Sequence, residues 1–125
     1  MSIWTHIQSI IIAKNNDSDT PLKDIKSIMK HAPKITGSEE DAFVFINHIP
    51  RTTSSCIDEN GECHEYENDF CITIVGDLRD RCFEETAKEY SRFIRFINKY
   101  FCCVNHNFYI IDDFGKEVFR RDQTW

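Results

Sequence analysis

Apolar and polar positions alternate along the start of the chain. Ile3, Thr5, Ile7, Ser9 and Ile11 fall on one side and Trp4, His6, Gln8, Ile10 and Ile12 on the other, which predicts a strand over Ile3–Ala13. A polar stretch, Lys14–Thr20, follows with the composition of a turn. Thr20 then reads as a helix N-cap with Pro21 at the first helical position. Leu22, Ile25, Ile28, Met29 and Ala32 share one face of that helix, and Pro33 ends it. Ala42–Ile49 and Phe70–Val75 are β-rich runs, stopped by Pro50 and Gly76. In Cys82–Phe101 the apolar residues Phe83, Ala87, Tyr90, Ile94, Ile97 and Phe101 recur at steps of three and four, the mark of a long amphipathic helix. Phe108–Asp112 and Lys116–Arg121 flank Asp112-Asp113-Phe114-Gly115 and predict a closing hairpin.

Between the second and third strands lies a polar excursion, Arg51–Asp69, with an Asn60-Gly61 turn signal at its centre. It reads as a loop or an extended hairpin arm. The element order is then β-α-β-β-α-β-β. That order predicts one α+β domain over residues 1–125, of the ferredoxin-like split β-α-β-β-α-β kind with an extra C-terminal strand. The sheet is antiparallel with both helices on one face. The Ile3/Thr5/Ile7/Ser9/Ile11 side goes under the helices, and Trp4, His6 and Gln8 face outward.

Composition agrees with a folded domain: 125 residues, 41% hydrophobic, with ten Phe, four Tyr and two Trp to fill a core. No apolar run nears the ~20 residues that span a bilayer, and the first residues lack the features of a secretory signal. The expectation is the host cell cytoplasm, with six reduced cysteines. The formal net charge is −6, and Glu39–Asp69 holds nine acidic residues against Arg51 alone. Such a chain is not expected to bind nucleic acid or membrane directly. An acidic face is suited to a basic partner, or is simply solubility charge.

Candidate chemistry is thin. Cys56, Cys63 and His64, with Cys102, Cys103 and His106, supply soft ligands but not the paired spacing of zinc modules, so no metal and no cofactor are expected. Cys56 and Cys63 would lie directly opposite across a four-residue Asp58–Gly61 loop, or diagonally across a two-residue Asn60-Gly61 turn. No nucleophile elbow, P-loop or metalloprotease motif occurs, so an enzyme is not expected. His6 is a rim histidine or an acid–base group. In Gly76-Asp77-Leu78-Arg79-Asp80, Asp80 suits the cap of the second helix, and Asp77 with Arg79 forms either an ion pair or an outward contact. Lys88, Arg92, Arg95 and Lys99 make a basic stripe, with Glu84 and Glu89 spaced to pair with Lys88 and Arg92.

Three short motifs carry a resemblance: Ser-Ile-Trp-Thr-His at the start, Thr-Gly-Ser-Glu at Thr36–Glu39, and Ile-Thr-Ile-Val-Gly-Asp-Leu-Arg-Asp at Ile72–Asp80. The chain resembles a group of small uncharacterised bacteriophage-encoded proteins over roughly residues 1–100; the arm Thr52–Asp69 and the cysteines depart from it. The resemblance implies a phage or prophage origin, supplies no activity, and singles out Trp4, Thr5, His6, Gly37, Asp77, Arg79 and Asp80.

These observations lead to a non-enzymatic phage protein that inhibits a host protein, such as a component of a defence system. The expected contacts are Trp4, His6, Asp77 and Arg79, with Asp58, Glu59, Glu62, Glu65 and Glu67 of the acidic arm. One alternative is a binder of a nucleotide signal, with Trp4 stacking a base and Arg79 taking a phosphate. Another is a virion or assembly component. The outward sheet face could also join two copies of the chain.

Overall fold

The structure is a computed structural model, and it describes residues 2–15, 22–49, 54–57, 59–61, 63–66 and 69–124. It has the α+β class that the element order predicts. The strands are β1 (Trp4–Asn15), β2 (Phe43–Ile49), β3 (Ser54–Ile57), β4 (Cys63–Tyr66), β5 (Asp69–Arg79), β6 (Phe101–Asp112) and β7 (Glu117–Thr124). The helices are α1 (Leu22–Met29) and α2 (Phe83–Tyr100). Five strands form one open antiparallel sheet in the order β2-β5-β1-β6-β7, and β3 pairs with β4 separately.

The alternation in β1 decides which face is covered. Thr5, Ile7, Ser9, Ile11 and Ala13 are buried. They join Phe70, Ile72, Ile74, Val104 and Ile110 of the neighbouring strands under Ile25 of α1 and Tyr90, Phe93, Ile94 and Ile97 of α2. Both helices thus cover the same side of the sheet. The expected stripe of α2 is the buried one, with Phe83 and Ala87 at its margin. Burial of these aliphatic and aromatic groups, at roughly 1.5–3 kcal/mol each, is the main force holding helices to sheet.

The core also contains a polar chain. Tyr90 Oη lies 2.7 Å from Ser9 Oγ and 2.8 Å from His106 Nδ1, and the three groups are buried. With one proton on its hydroxyl, Tyr90 can donate to one neighbour and accept from the other. Burial holds its phenol well above the ordinary range, so it stays neutral.

Several elements run further than the sequence predicts. Gly76 does not stop β5, which continues to Arg79. A Cβ at position 76 would lie 2.9 Å from Cα and Cβ of Ala42, so glycine serves close approach of the preceding segment. β6 starts at Phe101 directly after α2, whereas the hydrophobic pattern marks only its second half, Phe108–Asp112. Asp80 is not the cap of α2. Cys82 holds that position without a side-chain capping bond, its thiol donating to Glu85 instead, and Asp80 makes the turn before it, at φ +58°. The proposed cap Thr20 and Pro21 lie outside the described residues.

The polar excursion contains a hairpin, β3–β4. Its register sets Cys56 opposite His64 and Ile57 opposite Cys63. Cys56 and Cys63 are therefore offset by one residue, neither directly opposite nor diagonal. Among the described residues no helix is long and apolar enough to cross a membrane.

Candidate functional site: the acid-lined end of the sheet

One end of the sheet gathers the start of β1, the end of β5 and the β6–β7 turn. The turn is built by its own sequence. Asp112 Oδ1 accepts from the backbone N–H groups of Phe114 at 3.0 Å and Lys116 at 2.9 Å, and Gly115 supplies the left-handed residue at φ +86°. The turn then clamps β1. Trp4 N–H donates to Asp113 Oδ2 at 3.1 Å, and Asp113 N–H donates to the Trp4 carbonyl, also at 3.1 Å.

His6 sits between two carboxylates. Its Nδ1 is 2.6 Å from Asp77 Oδ1, and its Nε2 is 3.3 Å from Asp113 Oδ1. Asp77 is its register partner on β5, so this contact follows from strand pairing. The bond to Asp77 raises the His6 pKa above its ordinary 6.5; desolvation opposes this, and Asp113 adds to the rise. The side chain is 40% exposed, and that of Asp77 74%. Glu117 lies in the same row on β7, opposite Ile111 with β6 between it and His6, and accepts a hydrogen bond from the Tyr109 hydroxyl.

The corner behind this site is tied by side chains. Asp77 and Arg79 share a face of β5 but do not pair with each other, because Asp77 is taken by His6 and Arg79 by Glu39. Arg79 is engaged by the Glu39 carboxylate, and its Nε donates to Ser2 Oγ at 2.9 Å. Ser38 Oγ donates to Asp80 at 2.9 Å, and Thr5 Oγ1 donates to the Arg81 carbonyl at 2.7 Å. Thr36 donates twice to the Glu89 carboxylate, from N–H and Oγ1, both at 2.7 Å. Gly37 lies against the Leu78 backbone, where a Cβ would come 3.2 Å from Leu78 Cα. The three motifs that carry the resemblance thus meet at one end of the molecule.

The sequence-predicted residues divide accordingly. Trp4 and His6 lie on the open face beside Asp77, with Trp4 half-buried rather than bare. Arg79 is engaged by Glu39 and Ser2, so an incoming phosphate would share its guanidinium with that carboxylate. Glu59 is exposed in the turn of the arm. Glu65 lies on β4, its side chain not described, and Asp58, Glu62 and Glu67 lie outside the described residues. The local pairs expected on α2 do not form. Glu84 binds Lys116 and Glu89 binds Thr36, because these tertiary partners reach the carboxylates first. Among the described residues no group of three or more His, Cys, Asp or Glu side chains could hold a metal, and His106 is buried against Tyr90.

Sequence reasoning missed Asp113, Glu117 and Phe114. The last is 79% exposed at the tip of the turn. The signal was the Asp-Asp-Phe-Gly loop itself; what placed it beside His6 was the pairing of β1 with β6. No family model, curated protein or solved structure matches the chain.

Proposed function

We propose that the chain is a non-enzymatic binding protein, encoded by a bacteriophage as the resemblance implies, that inhibits a host protein by covering part of its surface. A component of a defence system, met in the host cytoplasm, is the kind of target intended. The observation that carries this reading is Phe114. It projects from the β6–β7 turn at 79% exposure, next in the chain to the exposed Asp113, at the end of the sheet that also carries Glu117 and Asp77. A large exposed aromatic is suited to anchor an interface, and carboxylates at its polar rim select a basic partner. The turn is held by Asp112 and clamped to β1, so little ordering would be required on binding. The sheet order β2-β5-β1-β6, with β7 outermost, supports reading the scaffold as the ferredoxin-like split arrangement with one added strand.

The experiment places a photo-cross-linking amino acid at Phe114 in the chain expressed in host cells, with Lys99 on the outer face of α2 as control. A single host protein should be trapped from position 114 and not from 99. With that protein purified, Phe114→Ala should weaken binding at least about 30-fold, as a hot spot of ~2 kcal/mol requires. Equal trapping from both positions, or unchanged affinity of the variant, would remove the tip from the binding surface.

A further inference from the structure

The side of the sheet away from the helices is unusually apolar. One register row crosses all five strands as Phe43, Val75, Gln8, Tyr109 and Phe119, and the next holds Phe45, Thr73, Ile10 and Asn107. Ile10, Phe43, Phe45, Val75 and Phe119 are each 40–54% exposed, and the rings of Phe43 and Phe45 stack at 6.3 Å. Scattered exposed apolar residues are ordinary, but a continuous belt across a whole sheet face marks a surface that is covered in use.

We propose that this face is the seam of a two-fold homodimer in which two sheets pack face to face. Size is the first argument. Five strands about 4.8 Å apart, over the seven residues of β2 at ~3.3 Å each, give on the order of 500 Å² of flat sheet per copy. Two such faces, enlarged by side-chain relief, reach the ~1,200–2,000 Å² of a stable interface. A patch of mostly apolar side chains with a few interleaved amides is also the composition of a homodimer core rather than of a transient contact.

Charge decides the orientation. The open face is acidic at the His6 end, where Asp77, Asp113 and Glu117 stand, whereas at the other end of β1 Lys14 faces a single buried carboxylate, its register partner Asp69. A two-fold axis running along the strands would set the acidic ends of both copies together, and like charges would oppose it. An axis lying in the seam across the strands brings Lys14 of each copy to the acidic end of the other. Placed between the two apolar rows, it also lays Phe43 of each copy over Phe45 of its mate. A groove of about 150 Å³ beside Ile10, lined by Gln8, Asn107, Tyr109 and Phe119, gives room for a side chain from the facing sheet. The two Phe114 tips then project from opposite ends and stay accessible to the host partner, while Asp77, Asp113 and Glu117 are shared with Lys14 of the mate.

Sedimentation equilibrium tests this. The chain should run at twice its 14.8 kDa at micromolar concentration, with melting that depends on concentration. Ile10→Glu should reduce the mass to one chain while circular dichroism stays that of the folded protein. Lys14→Glu should weaken association by at least about tenfold, less so in high salt. A monomeric wild-type chain, or a dimer that survives Ile10→Glu, would overturn the seam; association indifferent to Lys14→Glu would overturn the two-fold arrangement. Phe114→Ala should leave the mass untouched, so loss of the dimer and loss of partner binding are read separately.

Discussion

His6 is held between carboxylates on both ring nitrogens, and this favours its charged form relative to an ordinary rim histidine. Its folded pKa is raised, chiefly by the Asp77 bond. The folded state therefore binds the proton more tightly than the unfolded chain. The stabilisation is fully present below about pH 6.5, the unfolded value, and is lost as pH rises through the raised folded pKa. His6→Gln should accordingly lower the melting temperature in mildly acidic buffer and have progressively less effect towards alkaline pH. Ring-proton titration by NMR gives the midpoint directly, and a midpoint below 6.5 would mean that desolvation outweighs both carboxylates. The outward placement of His6 was legible in the alternation of β1. Its two acids were not, because Asp77 lies 71 residues and Asp113 107 residues away, and only strand register brings them together.

At the scale of elements, the periodic signals survived and the local electrostatic ones did not. The stripes of β1 and α2 describe burial well, since a period of 2 or 3.6 residues is fixed by backbone geometry and needs no knowledge of the partner. The strand limits that the local pattern sets at Gly76 and Phe108 are not the observed ones, because Gly76 serves a close approach by Ala42 and β6 follows α2 without a break. Ion pairs along a helix are worth only a few tenths of a kcal/mol, so any well-placed tertiary partner displaces them. Glu89 is the clearest case, accepting both the backbone N–H and the hydroxyl of Thr36 and so fastening the segment before β2 to α2. Glu89→Gln should remove one of these two charge-assisted bonds and weaken the other, at a cost of about 1–2 kcal/mol. Melting should fall by roughly 3–6 °C, whereas Glu85→Gln, at an exposed position with a long contact to Arg81 and a weak thiol bond from Cys82, should change little. Equal effects of the two changes would show that the Thr36 contact contributes no more than a solvated ion pair.

For the whole molecule, the sheet implies that the polar arm is an insertion and not part of the foundation. β2 and β5 pair directly, with Ile49 opposite Asp69, so the chain leaves the sheet at residue 49 and returns to the adjacent position at residue 69. A two-residue Asn-Gly turn can close an antiparallel pair at such a point. Replacing residues 50–68 by Asn-Gly should therefore leave the five-stranded sheet intact. Each halving of loop length returns about 0.6 kcal/mol of closure entropy, so going from 19 residues to two should stabilise by up to ~2 kcal/mol and hold or raise the melting temperature. The deletion removes five acidic residues and Arg51, moving the formal net charge from −6 to −2. If Asp58, Glu59, Glu62, Glu65 and Glu67 steer a basic host partner towards the chain, association should slow and lose part of its salt dependence, while dissociation, governed by the Phe114 tip, stays the same. Circular dichroism and thermal melting check the first part, and stopped-flow binding the second. An unfolded deletion variant would mean that the arm supplies core contacts and that β2 and β5 cannot be joined without it.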